Sequence, residues 1–183
     1  MNPSPVPILD KGDPILRKIA KEVSVRDIGS EKIQGILERM KAALASQDDG
    51  VAIAAPQIGE SLRIFIVSKR VFEMQEEDGE KVTLGTKDDL VCINPKIIKL
   101  SREKEAVPEG CLSVRYFYGN VLRSTKATVQ AYNERGEKFE RGARGLLAQI
   151  FQHENDHLDG VLFTDKAADL EEVPPEALEK TPA

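Results

Sequence analysis

Apolar residues recur at helical spacing through Ile33, Ile36, Leu37, Met40 and Leu44, which predicts an amphipathic helix from about Ser30 to Ala45. Ser30 is a fitting N-cap, with a hydroxyl able to accept a backbone N–H of the first turn. Beyond it the pattern changes to strand-length runs. Arg63–Val67 reads as a buried strand, and Leu90–Leu100 as another, with Asn94-Pro95 predicting an edge or a bulge. Val121–Tyr132 alternates through Arg123, Thr125, Ala127, Val129 and Ala131 and reads as one long strand. Asn133-Glu134-Arg135-Gly136 then turns the chain into a hairpin with Glu137–Glu140.

The last periodic segment begins near Gly145. Leu146, Leu147, Ile150, Phe151 and Leu158 predict a largely buried helix, with Gly160 placed to follow its C-cap. Between these elements lie segments with weaker signals. Residues 6–20 read as an extended lead-in with a helical turn at Pro14. Gly50–Gly59, rich in small residues, reads as a loop able to approach another backbone closely, and residues 70–88, with Asp78-Gly79, as an exposed hairpin or loop. Val161-Leu162-Phe163 reads as a closing strand, and residues from about 166 to 183 as a polar, frayed tail. Strands followed by one buried helix, with few βαβ units, indicate an α+β fold of one domain over residues 1–183.

Composition narrows the function classes. A net charge of −5 argues against a general or sequence-specific nucleic-acid binder, while leaving room for a transient ribosome contact through a local patch. No apolar run approaches the roughly 20 residues that span a bilayer. Met1-Asn2-Pro3-Ser4-Pro5 lacks the charged-then-apolar order of a signal peptide, so the expected compartment is the cytoplasm. Cys92, inside an apolar run, reads as a small core residue.

Candidate chemistry centres on Gln152–Gly160, which holds both histidines of the chain. His153 and His157 are four apart, so on a helix both imidazoles reach one metal ion from the same face. Glu154 follows His153 and stands where it could take a proton from water at that ion. A third ligand is needed. Cys111, in Glu109-Gly110-Cys111-Leu112-Ser113, is the preferred candidate, as a thiolate; a buried inert thiol and a cysteine nucleophile are the alternatives. Gln57, a neutral amide among small apolar residues, suits an oxyanion donor, or a turn-stabilising role. Asp156 has no assigned role.

Gly50–Gly59, Glu109–Ser113 and Gln152–Gly160 resemble, in order and spacing, the three signature segments of peptide deformylase; Ile8–Arg17 and Val161-Leu162-Phe163 fit as well. The resemblance implies antiparallel sheets packed around a central helix carrying the His-Glu-x-x-His motif. It implies removal of the formyl group from the N-terminal methionine of new polypeptides, with N-formylmethionyl peptides as partners. Matched by position, the metal ligands are Cys111, His153 and His157, for one divalent ion: typically Fe²⁺, with Zn²⁺, Ni²⁺ or Co²⁺ able to occupy the site. Glu154 matches the general base, and Gln57 with the backbone N–H of Leu112 the oxyanion donors. Gly50 matches the loop along the substrate, with Ala52 in the same loop. Val107, Leu146 and Ile150 fall where the family holds the methionine side chain.

Two positions depart from that pattern. Ala52 stands where a second glycine is usual. If φ is positive there, Ala costs on the order of 1 kcal/mol; if only close approach matters, its methyl narrows the groove. Arg115-Tyr116 replaces a usual Pro, often Pro-Gly. Both changes touch the substrate groove and spare the metal chemistry. Competing readings are an amidase acting on another small N-acyl substrate, a non-catalytic metal protein that holds nascent chains, and an endopeptidase. Glu154 and Gln57 together argue against mere holding, and a Cys ligand argues against the endopeptidase.

Overall fold

The computed structural model describes residues 6–77 and 88–173. Pro14–Arg17 forms a 3-10 turn capped by Asp13, whose carboxylate accepts the N–H of Ile15 at 2.9 Å. Helix α1, Glu31–Ala45, follows Ser30, whose Oγ accepts the N–H of Ile33. Strand β1 (Ala52–Ala54) leads into a 3-10 turn, Ala55–Ile58, so Gly50–Gly59 is more regular than a loop. Strand β2 (Ile64–Val67), helix α2 (Arg70–Glu77) and strands β3 (Leu90–Leu100), β4 (Lys104–Cys111) and β5 (Val114–Ser124) come next. Strands β6 (Lys126–Tyr132) and β7 (Lys138–Arg144) form the hairpin, followed by helix α3 (Gly145–Leu158), a 3-10 turn at Phe163–Asp165 and strand β8 (Ala168–Glu172).

Among the described residues the strands make two antiparallel sheets, one in the order β1-β2-β3-β6-β7 and one in the order β4-β5-β8. Over β1, β2 and the first half of β3 the five-stranded sheet is buried on both faces. Phe65, Val67 and Cys92 join Leu147, Ile150 and Phe151 of α3 in one apolar cluster, while Ile64, Ile66, Val91 and Ile93 join Ile33, Leu37 and Met40 of α1 in another. That is why Ile64–Val67 has no polar positions: successive side chains point to opposite faces, and both faces are covered.

Several elements differ from what the sequence pattern predicts. Val121–Tyr132 is not one strand, since it breaks at Thr125 and passes from one sheet to the other. The break is stabilised by α3, where the Gln152 side chain accepts the N–H of Ser124 at 3.0 Å and donates to its C=O at 2.9 Å. Pro95 lies in an interior strand, at a register shift between Ile93 and Lys96, so the bulge holds and the edge does not. Residues 70–77 form α2 rather than an exposed loop. Val71 and Phe72 are buried, but the apolar residues of the segment, Val71, Phe72 and Met74, are too few to give a visible period in the sequence, and residues 78–87, with Asp78-Gly79, lie outside the described residues. Val161–Phe163 is not a strand, because Asp165 takes the N–H of Leu162 through its side chain. The tail forms β8 on β5, and residues 174–183 lie outside the described residues. No helix among the described residues is long and apolar enough to cross a membrane.

Asn94 holds the bulge at φ 51, and its buried amide bonds both backbone groups of Val23, accepting at 2.8 Å and donating at 2.7 Å. Asn94→Ala should lower the unfolding free energy in urea by about 3 kcal/mol, because two buried groups lose partners and an L-residue stays at positive φ. Asn94→Gly should cost roughly 1 kcal/mol less, since it loses the bonds but keeps the backbone at ease.

Candidate active site

The two sheets bring separate segments together at one groove of about 310 Å³. One wall is Asp49–Ala52 and Gln57; the other is Pro108–Leu112 with Val114–Tyr118; Leu146, Gln149, Ile150, His153 and Glu154 of α3 form the floor. Each wall includes the edge strand of its sheet. β1 ends the five-stranded sheet and β4 ends the three-stranded one, so each presents backbone groups to the groove without a neighbouring strand there.

Cys111 ends β4 at a register shift and meets the helix face that carries both histidines. One ligand atom from each of Cys111, His153 and His157 lies within 4.8 Å of the others, and Cys111 Sγ is 3.2 Å from His157 Nε2. Gly110 before it is required by packing, because a Cβ there would sit 2.8 Å from the Tyr118 ring. Burial opposes ionisation of the Cys111 thiol, yet the imidazoles of His157 and His153 outweigh it and hold the thiol down at about 5. A thiolate with two imidazoles is a donor set that suits a borderline divalent ion.

The orientation of His153 is set from behind. Its Nδ1 is 2.9 Å from Glu109 Oε2. Glu109 is buried and receives Arg123 Nε at 2.7 Å and Nη2 at 2.9 Å, so it is an acceptor, and Nδ1 is the donor. Burial opposes the charged ring, yet the bonds to Cys111 and Glu109 hold the His153 pKa well above its ordinary value, so its Nε2 becomes a ligand by giving up its proton when a metal ion binds. Arg123 also donates to Asp156 at 2.7 Å, and Lys166 donates to both oxygens of Asp156. Burial opposes Glu109 ionisation, but the bonds from Arg123 and His153 bring it down to about 2.

Glu154 is buried, and its Oε2 has no hydrogen-bond partner among the described residues. Burial raises its pKa, with the imidazoles of His153 and His157 opposing. A carboxylate so placed, with one oxygen spare beside a ligand cluster, fits a metal site in which it exchanges a proton. Gln57 is placed where either of its expected roles is open to it. Its Oε1 accepts the N–H of Ala54 at 2.8 Å, so its Nε2 must face the site, where it lies 3.1 Å from Ser113 Oγ and 3.6 Å from Cys111 Sγ.

Of the substrate positions predicted from sequence, Gly50, Ala52, Leu146 and Ile150 line the groove, as does Leu112, whose backbone N–H is the expected oxyanion donor. Val107 does not. It lies four strand residues from Cys111, about 13 Å along β4, and Pro108 takes the nearer place. Ala52 is extended in β1, so its methyl narrows the groove without backbone strain. Tyr116, in contrast, sits at φ 69, where glycine is favoured. Sequence reasoning missed Gln149, Phe117 and Tyr118 in the lining and the role of Arg123, none of which belongs to a spacing pattern.

The Glu109 pKa lies below its ordinary value of 4.5, so the unfolded chain binds more protons in acid. The stability it contributes, about 3 kcal/mol, should be complete above pH 4.5 and lost as pH falls towards 2. Urea titrations of metal-free protein across that interval should show the loss, and Glu109→Gln should show a shallower slope with metal affinity reduced roughly 10- to 100-fold.

Residues 5–173 match the family model described as polypeptide deformylase. Peptide deformylase 2 of Clostridium acetobutylicum is 43% identical over 154 residues, which covers 84% of this chain and 89% of that protein. Peptide deformylase of Desulforudis audaxviator is 39% identical over 89% of this chain and 94% of its own length. Among solved structures, the Thermotoga maritima peptide deformylase superposes with a TM-score of 0.76 at 34% identity, covering 91% of this chain and 99% of that one. The Acinetobacter baumannii enzyme with Met-Ala-Ser bound gives 0.76 at 32% identity, over 91% and 99%. With a family model spanning nearly the whole chain and relatives this similar along most of their lengths, the chain belongs to the polypeptide deformylase family.

Proposed function

We propose that the chain, as a single catalytic domain over residues 1–183, removes the N-formyl group from the N-terminal methionine of newly made polypeptides and releases formate. The observation that carries this is the convergence of Cys111, His153 and His157 with the spare carboxylate oxygen of Glu154 and the amide of Gln57 in one groove. In this reading α3 is the central helix of the fold. Cys111, His153 and His157 hold one divalent ion, Fe²⁺ in preference, with Zn²⁺, Ni²⁺ or Co²⁺ as substitutes. When bound, the ion supplies Lewis acidity towards water and the formyl carbonyl.

The remaining work belongs to the side chains. An extended peptide has two edges to pair with, the Gly50–Ala52 segment that leads into β1 and β4 at Glu109–Cys111, which aims its formyl end at the ligand cluster. Leu146 and Ile150 of α3 offer an apolar floor for the methionine side chain. Glu154 accepts a proton from the attacking water, whose oxygen bonds to the formyl carbon. The Gln57 amide and the Leu112 N–H donate to the oxyanion that develops. The C–N bond then breaks, and Glu154 returns the proton to the leaving amine, so formate and a free α-amine result. The A. baumannii enzyme crystallised with Met-Ala-Ser supports a peptide of this kind as the product. The same reading places the protein in the cytoplasm, acting on chains as they emerge from the ribosome.

Formate release from formyl-Met-Ala-Ser, measured anaerobically with Fe²⁺, is the direct test; a fully loaded protein without activity refutes the reading, and faster turnover of the acetyl-Met peptide points to another amidase. Glu154→Ala should bind metal as the parent does and lose at least about 10²-fold in kcat. Cys111→Ala should lose the metal itself, which elemental analysis of dialysed protein will show.

A further inference from the structure

The two walls of the groove lie in different sheets, and among the described residues no backbone ladder sets the distance between them. Side chains must do so. At the inner end the tie is Gln57, whose amide reaches Ser113 and Cys111. At the outer end it is Arg115, at the start of β5. Its Nη1 donates to both carboxylate oxygens of Asp49, at 3.0 and 3.3 Å, and its Nη2 donates to Gln47 Oε1. Asp49 directly precedes the Gly50–Ala52 wall. From the other side of that loop, Arg70 of α2 donates to the carbonyls of Gln47 and Asp48, each at 3.1 Å. The loop is therefore gripped by two arginines, one from its own side of the groove and one from across it. Tyr116, next to Arg115, holds φ 69, so the chain keeps an unfavourable backbone at the point where this arginine is presented. The Pro-Gly that the resemblance leads one to expect at 115 and 116 would relieve the backbone and remove the tie together.

We propose that the bridge from Arg115 to Asp49 and Gln47 is a positioning device that sets the groove width beyond the methionine subsite and so governs binding of the residues that follow methionine. Arg115 touches no reacting atom; it acts through the 47–50 loop. The proposal rests on the deformylase reading. Both partners are well exposed, at 37% and 63%, so the bridge is screened by salt and its effect is moderate.

Arg115→Ala should raise KM for formyl-Met-Ala-Ser by about three- to tenfold with kcat within about twofold, and salt near 0.5 M should raise the parent's KM in the same direction. Formyl-methionine amide ends before the bridge, so its KM should not move. The exchange of Arg115→Asp with Asp49→Arg should recover most of the tripeptide KM, which a variant that had merely lost its fold could not do. An unchanged or lowered tripeptide KM in Arg115→Ala overturns the proposal, as does an equal rise for the amide or a failed exchange in a protein that melts like the parent. Calorimetric Kd values for unformylated Met-Ala-Ser give the same comparison without turnover. An inactive parent that still shows the Kd shift would thus refute the deformylase reading and leave the bridge standing.

Discussion

The site depends on one buried carboxylate. Glu109 lies on β4, takes two bonds from Arg123 on β5, and receives His153 of α3. Three elements from two layers meet at this side chain. Because Glu109 is two residues from Cys111, whatever fixes Glu109 against α3 also fixes the thiol against the histidines. A charge this deeply buried is tolerated only when its lone pairs are occupied, and removal of one partner is far more damaging than replacement of the whole set. The geometry is therefore held by an interaction that resists partial loss, which suits a site whose ligands come from distant parts of the chain.

How much of this could be read beforehand follows from how local each signal is. The His153-Glu154-x-x-His157 spacing is a property of one helix and needs no partner to be recognised. The same holds for α1, where the Ser30 cap and the apolar stripe lie within sixteen residues. Arg123 had no role for the opposite reason: in the alternation it shares a face with Val121, Ala127 and Val129, but nothing local names a partner for its charge, and only the fold shows that it is buried between Glu109 and Asp156. The split of Val121–Tyr132 has the same origin. Its alternation continues smoothly through Thr125, and the cause of the break is Gln152, 28 residues away along the chain. Asp156, which had no role from sequence, turns out to link Arg123 to Lys166.

Gln57 shows how a side chain can satisfy two readings at once. As a turn residue it accepts the N–H of Ala54, and as a donor it faces Cys111. The first bond makes the second dependable, since an amide whose oxygen is committed to a backbone N–H cannot flip without losing that bond. Preorganised donors of this kind need no rearrangement when charge develops in front of them. The local turn thus orients the Gln57 amide towards the groove.

The charges around the cluster also bear on what it binds. Glu109 and Asp156 are matched inside the protein by Arg123 and Lys166. Cys111 is not matched in this way, because the groups that favour its charged form are the imidazoles of His157 and His153. Those imidazoles can neutralise the thiolate only by carrying protons, and a protonated ring nitrogen cannot also be a ligand. A divalent ion resolves the conflict: it balances the thiolate while leaving both histidines neutral and coordinating, and its remaining charge favours the ionised form of Glu154, which burial alone disfavours. The uncompensated thiolate at the groove, taken with the compensated carboxylates behind it, therefore favours a divalent metal on electrostatic grounds that do not depend on the family resemblance.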